Sequence, residues 1–242
     1  MTYNSKDSIA NWMEESAVPA LHVIPADAGA RSKIGGLPQL AEGQSWPCWK
    51  DKPLAFLAQL DFGEMAKVAE VPAFPKSGRA SFFYNQEQST WGFDPKDKGS
   101  WVVLFQPRPS DYDALADPPD ELEDHALYSE KPVRFHLIKS LPDYGSRIKI
   151  DYKALSDSDF DELGRLKSDN FVEKHQRHQV GGFPSAVQND TMELECQLAF
   201  NGLYCGNASG YEDPRRTELE SGAADWILLF QLDTDDDTGM MW

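Results

Sequence analysis

The chain states one pattern twice. Ile34-Gly35-Gly36-Leu37-Pro38 is answered by Val180-Gly181-Gly182-Phe183-Pro184, and Leu57-Ala58-Gln59-Leu60-Asp61 by Leu229-Phe230-Gln231-Leu232-Asp233. Self-similarity of this kind constrains a fold more than any local motif. It predicts an internal duplication: two related halves facing each other, spanning 20–140 and 165–242, inside one domain covering 1–242. Each glycine pair permits left-handed backbone or a close approach, and each proline holds the preceding residue extended, so each copy is a rigid corner. Gln59 and Gln231 lie inside apolar runs, where an unpaired amide costs about 1–3 kcal/mol. Each therefore needs partners. Two readings follow: the amides tie their strands to the corner backbone, or they line a ligand cleft with Trp46 and Trp49 where the halves meet.

The rest of the chain fits alternating helices and strands. Asp7 or Ser8 can cap a helix carrying Ile9, Trp12 and Met13 on one face. Leu21–Ile24 reads as a strand closed by Pro25, and the run opened by Pro53 and ending at Asp61 as a central strand. Residues 62–70 predict a short helix, 80–84 an aromatic strand, and 101–105 and 132–138 further strands. Asp151–Lys167 reads as a helix and Trp226–Leu232 as the buried strand of the second half. No linker-like composition separates the halves, so they are read as one body.

At 242 residues with 13 Phe, 8 Tyr and 7 Trp, the chain can bury a sizeable core. Its start has no basic region followed by an apolar run, which predicts a protein of the cytoplasm that neither enters nor crosses a membrane. Cys48, Cys196 and Cys205 form neither an even set nor a CxxC pair, so reduced thiols are expected. Forty acids against 23 Lys and Arg give a net charge of −17, which repels nucleic acid. That charge suits a basic partner, or simply solubility.

Motifs of chemistry are sparse. Asp233, Asp235 and Asp237 alternate as in a calcium loop, but Gly239 falls one position late and the twelfth position lies past Trp242, so a solvated acidic turn is expected. His175 and His178 share a spacing that metals use, yet lack a carboxylate or cysteine at the matching offset, so a capping or surface role is expected. Cys48 reads as a packed small hydrophobe, and the stretch from Gly202 to Gly210 as a loop without the Lys and Ser or Thr of a phosphate-binding loop. No cofactor, metal or catalytic set is predicted. The segment holding Asp111, Asp113, Asp117, Asp120, Glu121, Glu123 and Asp124 contains no Lys or Arg. It is either an exposed flexible loop or an electrostatic docking surface for a basic protein.

The paired corners, the Gln-Leu-Asp strands, Trp46-Pro47 and the ending from Leu232 to Trp242 resemble the YwqG-like family of bacterial domains of unknown function. The resemblance implies an α+β fold of two similar, mostly antiparallel motifs with a few helices and no established enzymatic activity. It also implies kinship with the immunity proteins that accompany secreted bacterial toxins, including nucleases of type VI secretion systems. Members of that family continue past the Met-Trp with another glycine turn and an aromatic strand, the counterpart of Gly78–Tyr84. The stop at Trp242 implies a shortened chain or an open strand edge. The leading expectation is a non-enzymatic immunity protein that neutralises a basic toxin. The alternative is a small-ligand-binding protein or uncharacterised enzyme with its site between the halves.

Overall fold

The apolar run after Lys52 is a strand buried on both faces. In the computed structural model, which describes residues 9–110, 113–142, 155–172, 175–186 and 191–242, this is β4 (Lys52–Asp61). The fold is α+β. The chain divides into a sheet unit, Val23–Trp91, Lys96–His136 and Asp233–Trp242, and a helix-rich unit, Met1–His22, Gly92–Pro95 and Leu137–Leu232.

In the sheet unit β4 runs between β5 (Arg79–Asn85) and β2 (Lys33–Ile34), all antiparallel. Beyond β5 lies β6 (Trp101–Gln106), and beyond β2 lies β7 (Lys131–Ser140). Burial of β4 on both faces explains why it reads as a continuous apolar run instead of an alternating one. Leu54, Phe56, Phe83 and Leu40 form one core with Trp46, Trp49, Val102 and Leu104 against it. Each such side chain contributes about 1.5–3 kcal/mol when fully buried. Upstream, β3 (Cys48–Trp49) joins β4 in a two-residue hairpin whose turn residues, Lys50 and Asp51, both take positive φ. A bulge between Phe56 and Ala58 lets Leu57 give its carbonyl to Gly35 N at 2.8 Å. Gly35 has φ +66°, and a Cβ there would stand 2.2 Å from Ser129 O, so the corner needs glycine on two grounds.

The strand ends in α2 (Phe62–Val68), capped by Asp61, which accepts Glu64 N at 2.9 Å. Glu64 turns its carboxylate back onto Arg31 N, Ser32 N and Ser32 Oγ. Ser32 Oγ in turn accepts Asp61 N, so this acid pair fixes the entry to β2.

The helix-rich unit places α1 (Ile9–Ser16) against α3 (Asp157–Asp169): Trp12 and Met13 pack on Leu163, with Leu141, Leu155 and Leu166 around them. A capping box between Ser156 and Asp159 begins α3 at 157; the expected start near 151 lies outside the described residues. In this unit β1 (Val18–Pro25) pairs with β8 (Gln179–Val180) through Leu21 and His22. The helix α4 (Met192–Phe200), with the single-turn helices α5 (Ala208–Tyr211) and α6 (Arg216–Leu219), encloses Leu198, Leu203 and Cys205.

Two expectations in the C-terminal part of the chain need correction. Trp226–Leu232 is not a buried strand: it makes one bridge, Gln179 to Gln231, and Ile227 and Leu229 are 39% and 43% exposed. Where β4 is held by β5 on one edge and β2 on the other, this segment has, among the described residues, a ladder step on one edge alone. Nor is Asp235 in a solvated turn. It bridges Met240 across a tight turn, and its side chain, with no exposed surface, receives Lys131 Nζ at 2.9–3.0 Å. Burial pulls the Lys131 ammonium toward neutrality, but hydrogen bonds and charge from Asp237 and Asp235 outweigh it and hold its pKa above the usual lysine value. That raised value stabilises the fold below the ordinary lysine pKa, and the contribution is lost as pH climbs through the raised one.

Asp235→Ala, which takes the buried counter-charge from a mostly buried ammonium and leaves it the exposed Asp237, should cost about 1–3 kcal/mol in urea denaturation. Asp237, 73% exposed, should cost no more than about 1 kcal/mol when replaced by alanine.

Candidate functional site

The sequence-predicted residues fall into three settings. Gln59, 1% exposed, accepts Gln39 N on Oε1 at 2.9 Å and donates to Arg31 O and Gln39 Oε1. Gln231 accepts Ser185 N at 2.9 Å and donates to Ser185 O at 2.8 Å. In both places the amide accepts the N–H of the residue that follows the corner proline. Trp46 donates its indole N–H to Leu54 O at 2.8 Å and meets Phe83 edge to face; Trp49 lies under the Lys50 ammonium at 3.8 Å. Trp46, Trp49 and Gln59 belong to the sheet unit and Gln231 to the helix-rich unit.

The acidic segment is built on the first corner. Ala116 N donates to Pro38 O, Leu40 N to Ala114 O, and Gln39 bridges Leu115. Asp113 turns inward. Its carboxylate meets the Arg79 guanidinium and also receives Ser110 N at 2.9 Å. Arg79, 4% exposed at the start of β5, spends its other donors on Gln106 Oε1 at 2.9 Å and Gln39 Oε1 at 2.8 Å. The far end of the segment is pinned by Gln86, 2% exposed: its Oε1 accepts Glu123 N, its Nε2 reaches Glu121 O, and its carbonyl meets His125 Nε2 at 3.1 Å. Leu122, Ala126 and Tyr128 are buried beneath it. Burial raises the Tyr128 phenol pKa against a hydrogen bond from Gln88, so the hydroxyl stays protonated.

What remains outward is a row of carboxylates: Asp117, Asp120, Glu121, Glu123 and Asp124 are all exposed, with Leu115 and Leu127 exposed beside them. Asp111 lies outside the described residues. Sequence reasoning passed over Arg79 and Gln86, the two side chains that hold this segment. Arg79 left a signal, being a charge in phase with the inward residues Ser81 and Phe83 of an apolar strand.

Other candidates are occupied by structure. His178, expected as a surface or capping residue, is 3% exposed because it leads directly into buried β8. The fully buried His22 accepts Val172 N on Nδ1 and so donates from Nε2 to Gln176 O at 2.6 Å. All three cysteines are free. Burial and the neighbouring Glu195 and Glu193 push the Cys196 thiol up to about 11, and burial also raises Cys205, so both stay protonated at neutral pH. Among the described residues no group of three or more His, Cys, Asp or Glu is arranged to hold a metal, and no helix is long and apolar enough to cross a membrane.

A family model described as "Domain of unknown function (DUF1963)" matches residues 32–242. The chain belongs to the DUF1963 family. The DUF1963 match covers both Gly-Gly-x-Pro corners, the acidic segment and the Asp235 turn. No curated protein matches the chain.

Replacing Arg79 by methionine should cost about 3–5 kcal/mol, since it leaves Asp113 unpaired in a nearly dry site. Amide exchange at Leu40 and Ala116 should quicken as the segment loosens; unchanged protection there would mean that Arg79 does not hold it. Cys48, expected to be packed, is instead exposed on the short strand β3, so with a disulfide reagent at pH 7 it should react first, while Cys196 and Cys205 should wait for unfolding, a sequence readable by peptide mass.

Proposed function

We propose that this chain is a non-enzymatic binding protein that docks a fixed acidic surface onto a basic protein partner. The observation that carries the reading is the double anchoring of the acidic segment, at Pro38–Leu40 on one side and at Gln86 on the other. Five exposed carboxylates on a pinned frame lose little conformational freedom when a partner arrives, so less of the interaction energy goes into ordering the loop. A net charge of −17 adds a long-range field of the same sign. Such a field raises association rates for a cationic partner by roughly 10–10³ at low salt. Leu115 and Leu127 supply apolar contact beside the charges, the arrangement of an interface core within a polar rim.

The matched amide bonds at Gln39 and Ser185 support descent of the two corners from one duplicated motif. With the resemblance to YwqG-like proteins, they favour a cytoplasmic immunity protein that neutralises a basic secreted bacterial toxin, such as a nuclease of a type VI secretion system. The acidic surface would occlude the cationic cleft with which a nuclease holds its own substrate.

Binding of the purified chain to the product of an adjacent gene, measured across ionic strength, tests this reading. Association should slow steeply with salt, and joint replacement of Asp120, Glu121, Glu123 and Asp124 by lysine should slow it roughly tenfold or more at low salt. Binding that is indifferent to salt and to these four changes would reject the acidic surface as the dock.

A further inference from the structure

We propose that the outer edge of β6 is a self-association surface, on which a second copy of this chain adds its own β6 antiparallel across a two-fold axis at Val103. Among the described residues β6 ends the strand order, with β5 on one side and no strand on the other. The ladder to β5 fixes which backbone groups face outward. Asn85 N donates to Ser100 O at 2.7 Å, one step beyond the pairing of Tyr84 with Trp101, so Asn85 and Ser100 are a hydrogen-bonded pair. Bonded pairs alternate along an antiparallel ladder, and the register runs on to Arg79 opposite Gln106 without a shift. Val102, Leu104 and Gln106 therefore bond to β5, and the N–H and C=O groups of Trp101, Val103 and Phe105 point away from it.

The same three residues carry exposed apolar side chains, at 43%, 41% and 47% exposure. An edge with open backbone and apolar side chains is ordinarily blunted in a protein that stays monomeric, by a charge, a proline or a bulge. β6 has none of these. No residue from 99 to 107 is charged, in a chain where 26% of residues are. The six residues of the strand include no proline, and its register with β5 is unbroken. Phe105 is held by stacking on the Phe62 ring at 5.7 Å. At the other end Trp242 meets Tyr84 edge to face at 5.9 Å, and Tyr84 stands opposite Trp101, so aromatic surface continues inward from the edge.

The symmetry of the strand selects a second copy as the occupant. Its outward-bonding positions read aromatic, valine, aromatic in either direction. Turned about a two-fold axis through Val103, the strand sets Trp101 opposite Phe105 of the second copy and Val103 opposite its own counterpart. Every position so paired is an outward-bonding one. The register thus closes three bonded pairs of two hydrogen bonds each and forms two aromatic cross-strand pairs. The neutral run also lets two copies of net charge −17 meet without setting acid against acid. With about 150–250 Å² per side chain, the exposed fractions leave roughly 250 Å² of apolar surface on each edge. Two copies bury about 500 Å² of it, less than the roughly 1,200 Å² of a stable interface, so the main-chain bonds carry a dimer that is reversible and not obligate.

This edge shares no residue with the acidic surface, so each can fail without the other. Sedimentation velocity of the full chain across a concentration series should show monomer giving way to dimer and to no larger species, since a two-fold pairing closes on itself. Salt should strengthen the association by screening two like-charged copies, whereas it weakens docking to a basic partner. Val103→Lys, which sets two ammonium groups opposite each other at an exposed position, should raise the dissociation constant roughly tenfold or more and leave the melting temperature unchanged. The register has its own readout in a Cys48→Ser background. Val103→Cys, whose Cα atoms stand about 5.5 Å apart across the axis, should oxidise to a covalent dimer. Phe105→Cys, displaced from its counterpart by about 13 Å along the strand, should not. Monomer at every concentration, open-ended growth, a dimer indifferent to Val103→Lys, or equal cross-linking of the two cysteine variants would overturn the proposal.

Discussion

The bond from Gln39 N to the Gln59 amide sets the course of the chain in the sheet unit. Without it, a side chain of β4 that is almost wholly shut off from water would leave its carbonyl unpaired. The backbone after Pro38 would also lose the partner that fixes its direction. Because Gln39 is held there, its own side chain can accept from Arg79, and its backbone neighbours can pair with residues 114–116. The acidic segment is therefore a dependent of the corner. Its charges stand where they do because an uncharged amide, deep in an apolar strand, had to be satisfied.

Much of this frame was legible in the residues themselves. The run from Pro53 to Asp61 carries its own evidence of two-sided burial, and Gly35-Gly36 before Leu37-Pro38 dictates a corner by conformational limits alone. The demand that Gln59 and Gln231 find partners followed from the cost of unpaired amides, although which backbone groups would answer did not. What escaped reading are partnerships that sequence separation hides. Asp113 looked like one more exposed acid until Arg79 was seen to take it, and Asp235 looked like part of a solvated run until Lys131 did the same. In both cases the composition of the local stretch suggested water, and a distant cation decided otherwise. Trp226–Leu232 misled for the opposite reason: its pattern is that of a strand, but a strand is a property of two edges, and no local pattern reports whether both are taken.

The charge of the molecule is also unevenly spent. An excess of 17 acids invites one description of the whole surface, yet the corner at Gly181–Pro184 gathers cations from three separate stretches of sequence, around 139, 167 and 177. The three positions lie 28 and 10 residues apart, so no single charge run announces their convergence. Net charge describes the field felt at a distance. Local charge is set by what converges at a few ångströms, and the two can differ in sign.

The pair between Lys131 and Asp235 has a consequence in time as well as in energy. The partners are 104 residues apart in the chain, and the larger part of the helix-rich unit, Leu137–Leu232, is made between them. At synthesis rates of about 5–20 residues per second, the lysine must wait roughly 5–20 seconds for its carboxylate. During that interval the sheet unit lacks both the counter-charge and the Met240 side chain that ends up fully buried in it. The nascent chain thus holds an unfinished sheet while its second unit emerges.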